Sequence, residues 1–179
     1  NVDLATASAG GGQLYVFRGG SVSLSVASGG PPELNFGHEA TQACLQKLSH
    51  IGVQPAPDQP VTLRFTVVES SNGKMDEYSE RNSSRKIQVP HTRLDFELAF
   101  VHQDGRVLWS RSFHSSNSHT ALQLEGDEDL ATVLNRKQWE NALRWIHSVG
   151  LPAEVGEHTG AQLRLTHEGT VIPNTFNPQ

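Results

Sequence analysis

From Arg93 to Phe113 the chain reads RLDFELAFVHQDGRVLWSRSF, with hydrophobic residues at every second position on both sides of Asp104-Gly105. Successive side chains of a β-strand project to opposite faces, so this period puts Leu94, Phe96, Leu98 and Phe100 on one face and Asp95 and Glu97 on the other. Slipping the register by one residue would turn the whole apolar set into water, so the segment is strongly held to a sheet with one covered face. Asp-Gly supplies the positive φ values of a tight turn, which predicts a hairpin. On the return strand Val107, Trp109, Arg111 and Phe113 share a face, and Leu108, Ser110, Ser112 and His114 share the other. Trp109 and Phe113 are expected to feed the core, and the strand is expected to pass from covered to exposed near Arg111.

The same period marks other strands. Val61, Leu63, Phe65 and Val67 alternate with Thr62, Arg64 and Thr66. In QLYVFRGGSVSLSVASGG, Leu14 and Val16 precede Gly19-Gly20 and Val22, Leu24 and Val26 follow it, which predicts a first hairpin or a strand bent by a bulge. Between the central strands, SSNGKMDEYSERNSSRK holds too little hydrophobic content to be buried and is read as a long, mobile excursion.

Two segments change to the helical period. Leu34, Ala40, Cys44, Leu48 and Ile51 fall near i, i+3/i+4 spacing, with Pro32 at the start and Gly52 just past the end. From Asp127 to Val149 the chain is read as helical: Leu130, Leu134, Ala142, Trp145, Ile146 and Val149 line one side, with acids in the first turn and Gly150 and Pro152 as stops. Leu163 and Leu165 before Glu168-Gly169, with Val171 after it, predict a short terminal hairpin that could add to the sheet edge.

Strands grouped around two helices predict an α+β fold, a mostly antiparallel sheet with both helices packed on one face. Three regions are expected: a flexible tether over 1–12, a single α+β domain over 13–151, and a C-terminal extension with a short hairpin over 152–179. A chain of 179 residues is long enough for one domain with a substantial core.

Composition narrows the partners. With 36% hydrophobic and 18% charged residues the chain is expected to fold in water. The net charge of −5 and the lack of a Lys/Arg run speak against nucleic acid. No stretch approaches the roughly 18 to 20 apolar residues of a membrane-spanning helix. The opening NVDLATASAGGGQ has the composition of a tether behind a removed signal or a lipidated terminus, and equally of a frayed end.

Chemistry-bearing residues are scattered. Of nine histidines, His114 and His119 in HSSNSH are the nearest pair, but their spacing indicates no third metal ligand, and they are read as solvent-facing. His38-Glu39 lacks a histidine four positions on, where Gln42 stands. The single cysteine, Cys44, falls inside helical hydrophobic spacing and is read as a small core residue. No glycine pair opens a phosphate-binding loop, so no cofactor is expected. The acids of EGDEDL read as a helix start rather than a calcium site. Asn82 in NSS matches a glycosylation acceptor triplet that is common by chance. Trp139 and Trp145 stand six apart and point in different directions on a helix, so one is expected in the core. The other, assigned as Trp139 beside Arg136 and Lys137, is expected at the sheet margin or at a partner. Together with Asp95 and Glu97 these residues form the candidate partner-binding set.

The succession ACLQKLSHIGVQ, VTLRFTVVES, LAFVHQDGRVLWSRSF and WENALRWIHSVGLP resembles small bacterial outer-membrane accessory lipoproteins of the lipopolysaccharide-assembly and ABC-transport auxiliary type. The likeness spans about residues 34 to 151 and rests on hydrophobic pattern and an Asp-Gly turn, with no functional residue matched one to one. It departs from that type in lacking a cysteine at the start and in continuing past the closing helix. The resemblance implies a non-enzymatic periplasmic accessory or assembly protein, at or near the outer membrane and compatible with a lipid anchor before Asn1, that binds a protein or an envelope component. Two alternatives stand beside it: a toxin-neutralising or secretion-system binding protein that blocks a basic partner by charge, and a small histidine-dependent metal-binding protein or enzyme.

Overall fold

The computed structural model describes residues 13–79, 86–117 and 129–156, together with the backbone of 163–165 and 171–173. In chain order the elements are β1 (Leu14–Val16), β2 (Ser21–Val26), a 3-10 turn (Pro32–Leu34), α1 (Phe36–Ile51), β3 (Gln54–Pro55), β4 (Val61–Ser79), β5 (Lys86–His102), β6 (Val107–Ser116), α2 (Leu130–Ser148), β7 (Val155–Gly156), β8 (Leu163–Leu165) and β9 (Val171–Pro173).

The main sheet has five strands in the order β3-β2-β4-β5-β6. Its last three strands form the expected antiparallel meander, with Phe65 opposite Leu98 and Phe96 opposite Phe113. The sheet as a whole is mixed, because β2 runs parallel to both β3 and β4. The cause is the intervening helix: a chain that leaves β2, forms α1 and returns can lay its next strand parallel, as a crossover connection allows and a tight turn does not. The first hairpin is absent for a related reason. The N–H of Gly19, at φ +86°, donates to the carbonyl of Gly52 at 2.8 Å, which stitches this turn to the end of α1. Strand β2 is thereby aligned with β3, while β1 pairs antiparallel with β7.

One core unites the sheet face with both helices. Val22, Leu63, Phe65, Leu94, Phe96, Leu98 and Phe100 pack with Phe36, Ala40, Cys44 and Leu48 of α1 and with Trp139, Ala142 and Ile146 of α2. Helix α1 ends on Gly52 in the left-handed conformation expected of a C-terminal glycine. Asp129 caps α2, its carboxylate accepting from the Thr132 N–H at 3.0 Å. Lys47 of α1 reaches the far end of α2, donating to the carbonyls of His147 and Val149 and so occupying acceptors that the helix end leaves open.

Val155 of β7 is buried in the main core and pairs with Val16 of β1. The polar stretch after Val68 is a paired ribbon rather than a loose excursion: β4 and β5 stay in register out to Ser79 opposite Lys86, with a bulge between Ser71 and Met75. Backbone pairing does not require a continuous apolar face, and the ribbon still buries one patch, with Tyr78, Ile87 and Val89 packing on Leu130 and Leu134 of α2. Strand β8 pairs antiparallel with β9 in a two-stranded sheet of its own. Among the described residues no helix is long and apolar enough to cross a membrane.

Candidate functional site

Strand β6 ends at Ser116, opposite Arg93 and three positions short of Pro90 on β5, a residue with a carbonyl but no N–H to offer a ladder. Asn117 completes the pairing with its side chain. Its Nδ2 donates to the Pro90 carbonyl at 2.8 Å, and its Oδ1 accepts from the Thr92 N–H at 3.0 Å. The Tyr78 hydroxyl donates to the Asn117 carbonyl. From α2, Gln138 Nε2 donates to the carbonyl and Oγ1 of Thr92 at 3.2 and 3.0 Å, and Asn141 Nδ2 donates to Ser115 Oγ at 3.0 Å. This polar seam ties the ribbon, the end of β6 and the middle of α2 into one body, and a depression opens on each side of it.

The first depression is a cleft of about 630 Å³ whose walls include Glu33, Glu69, Asn135 and Trp139. Among the described residues no Lys, Arg or His lines it. Trp139 is held there from behind by Phe36, edge to face at 4.7 Å between ring centroids, and by the backbone of Gly30.

The second is a groove of about 270 Å³ between α2 and the end of β6, lined by Ser116, Lys137, Gln138, Glu140, Asn141 and Arg144 among others. Lys137, Asn141 and Arg144 lie at i, i+4 and i+7, one stripe of the helix. Gln138 is 2% exposed, yet among the described residues its Oε1 has no hydrogen-bond partner. A buried acceptor left in this state costs about 1–3 kcal/mol, so the side chain is held there by its two bonds to Thr92 at the expense of its own carbonyl.

The sequence-derived candidates divide. Of the two tryptophans, Trp139 is 7% exposed, packs in the core and forms part of the wall of the first cleft. Trp145 is the half-buried one, stacked on Phe113 of the edge strand β6 at 6.4 Å. The reason is the direction of six helical positions, which turns residue 139 toward Phe36 and residue 145 toward β6. Phe113 lies on the core side of the sheet as expected but remains 49% exposed, because β6 is the outermost strand. Lys137 lines the groove, and Arg136, half-buried on the same helix, lines neither depression. Asp95 and Glu97 lie on the opposite face of the sheet, away from both depressions. There Asp95 accepts from the Arg93 guanidinium in a two-pronged contact, and Glu97 stands 3.8 Å from Arg64.

His114 is exposed with its ring against Phe113, and His119 and Asn82 lie outside the described residues. Among the described residues no group of three or more His, Cys, Asp or Glu is placed to hold a metal. Cys44 is fully buried, and burial pushes its thiol up to about 11 against a partial opposing pull from Lys47. Sequence reasoning missed Gln138 and Asn117. Gln138 falls inside the apolar stripe of α2 as a polar residue, and that was its only available signal.

No protein-family model matches the chain, and no curated protein does. Solved structures give weaker likenesses. A minor lipoprotein from Acinetobacter baumannii is 13% identical with a TM-score of 0.36, over 76% of this chain and 93% of that one. PelC from Paraburkholderia phytofirmans, solved as a dodecamer, is 17% identical with a TM-score of 0.29, over 78% and 93%. A PDZ domain protein from Parabacteroides distasonis is 11% identical with a TM-score of 0.31, over 75% of this chain but 34% of that one. All three TM-scores fall below one half, so these likenesses establish neither a shared fold nor a shared function.

Proposed function

We propose that this chain is a non-enzymatic accessory protein of the bacterial cell envelope, periplasmic and held at or near the outer membrane, which works by binding a protein or another envelope component. The binding half of this reading rests on one observation: the groove between α2 and the end of β6 is lined by Lys137, Asn141 and Arg144 from one stripe of the helix, with Ser116 and Glu140 beside them. Convergent polar groups on a rigid helix are the usual make-up of a recognition site. The envelope half rests on the resemblance of residues 34 to 151 to accessory lipoproteins and on the Gly/Ser-rich opening.

The test is to express the full gene product, fractionate the cells and weigh the mature N-terminus by mass spectrometry. An exported, envelope-associated product supports the reading. An unprocessed cytosolic product overturns the envelope assignment and turns attention to the toxin-neutralising alternative.

A further inference from the structure

We propose that the free edge of β6 takes up an extended, acidic segment of a partner protein as a further strand of the sheet, with one of its side chains entering the groove beside α2. The inference deepens the binding half of the reading above and is independent of where in the cell the protein resides.

The backbone of β6 carries it. This strand is the last of its sheet, and just beyond it the Asn117 N–H donates to the Thr92 carbonyl at 3.3 Å. Bonded pairs recur at every second residue of an antiparallel ladder, so Ser115, Phe113 and Arg111 exchange their bonds with Leu94, Phe96 and Leu98. The N–H and C=O groups of Ser110, Ser112 and His114 therefore point the other way, off the sheet, and among the described residues no partner meets them. Strands β1 and β7 stand at the turn end of β6, where Tyr15 meets Arg106 at 3.3 Å. Exposed edges are ordinarily closed by brevity, proline or charge. The opposite edge of this sheet is closed in that way, since β3 has two residues and ends on Pro55. From Ser110 to Ser116, β6 has no proline, glycine, lysine or acid, and its one formal charge, Arg111, lies on the helix side. What satisfies such an edge is a second extended backbone.

The side chains say which kind. Phe113 is 49% exposed beside Trp145, which favours an apolar residue opposite it. Its neighbours on the same face are Arg111 and Ser115. Asn141 bonds the Ser115 hydroxyl and is also a wall of the groove, so a residue opposite Ser115 projects toward Lys137 and Arg144. Arg111, Lys137 and Arg144 form no ion pair among the described residues, and Glu140 is the single acid lining the groove. Acids opposite Arg111 and Ser115, two positions to either side of an apolar residue, complement this edge in charge. The pattern reads the same in either strand direction. A second copy of this chain would instead bring the same three cations to an edge that already holds them, and like charges disfavour that pairing.

The probe is the peptide acetyl-Thr-Glu-Thr-Val-Thr-Glu-Thr-amide, titrated into the full chain and followed by backbone amide NMR shifts. One control is the same peptide N-methylated at the two threonines beside valine, which keeps every charge but removes the N–H groups that would meet Ser112 and His114. The other carries lysine in place of both glutamates. The expected result is saturable binding with shifts centred on residues 110–116 and 137–144, and at least about tenfold weaker binding of both controls. In the double variant Lys137→Ala/Arg144→Ala the glutamate peptide should bind about fivefold more weakly, with the urea midpoint unchanged. Equal binding of the methylated peptide would reduce the contact to charge attraction and overturn the proposal, as would no shift at millimolar peptide. A mass that doubles with concentration in the free chain, together with exchange protection at Ser112 and His114, would mean that a second copy covers the edge and would overturn it as well. Failure of export would remove the envelope reading and leave this result untouched, whereas absence of peptide binding would remove this inference alone.

Discussion

The side-chain amide of Asn117 donates to the carbonyl of Pro90 at 2.8 Å, standing in for a ladder partner at the point where β5 has no N–H to exchange. Its Oδ1 takes up the Thr92 N–H two residues on, so one side chain serves two backbone groups of the neighbouring strand. Asn117 is 2% exposed, and water cannot replace it without opening the seam. Asn117→Ala should therefore destabilise the protein by about 1–3 kcal/mol, the cost of leaving buried polar groups unpaired. Urea unfolding checks the magnitude, and native-state hydrogen exchange should show Val89 and Thr92 losing protection before the β4–β5 centre does. A loss below about 0.5 kcal/mol would mean that the ribbon is held by Tyr78, Ile87 and Val89 alone.

Gly30 and Trp139 make a second such pair. A Cβ on Gly30 would stand 2.7 Å from the indole ring, and its φ of +84° already disfavours an L side chain. Gly105, at φ +88°, has nothing within 4 Å of the same added atom. Gly30→Ala should thus cost about 2–4 kcal/mol, combining backbone strain with overpacking, whereas Gly105→Ala should cost only about 1 kcal/mol. Near-ultraviolet circular dichroism should register a displaced tryptophan in the first variant and not in the second. Equal losses would show that backbone strain alone decides.

These two pairs mark what could be read from sequence. The alternation through Leu94, Phe96, Leu98 and Phe100 and the stripe through Ala40, Cys44 and Leu48 identified the central strands, both helices and most of the core, because burial on one face imposes a period on the residues themselves. The partner of β2 was not legible, because nothing in the period of a strand says which neighbour it pairs with. The ribbon was read as a loop since paired backbone with two wet faces leaves almost no hydrophobic trace, apart from Tyr78, Ile87 and Val89. Trp139 and Trp145 could be told to point apart, but which one faced the core depended on the placement of Phe36 and β6. The seam was the least legible part. Asn117, Thr92 and Gln138 lie on three elements and meet only once the ribbon has folded back over α2.

Phe96 and Phe113 face each other across β5 and β6, with ring centroids 6.2 Å apart, yet one is 1% exposed and the other 49%. The same truncation at the two positions should differ accordingly. Phe96→Ala should cost about 3–5 kcal/mol, while Phe113→Ala should cost about 1–2 kcal/mol, mostly contact with Trp145 and Phe96. Guanidinium unfolding of the two variants gives the comparison. A cost for Phe113→Ala as large as for Phe96→Ala would mean that the edge of the sheet is covered in solution.

Cys44 gives a pH signature with a fixed sign. Burial raises its thiol from an ordinary 9.0 to about 11, so the folded state prefers the neutral thiol and the unfolded state ionises first. Its contribution is fully present below about pH 9, falls as pH rises from there, and is gone above about 11, for a total on the order of 2–3 kcal/mol. Lys47 and Tyr78 titrate at alkaline pH as well, so the quantity to measure is the difference between the native chain and Cys44→Ala across pH 8 to 11. That difference should narrow in favour of the variant as pH rises. At pH 8 a thiol reagent should label the native chain only as fast as the core opens, so labelling should accelerate with urea in step with unfolding. Rapid labelling without denaturant, or a stability difference flat with pH, would place the thiol in contact with water and contradict its burial between α1 and the sheet.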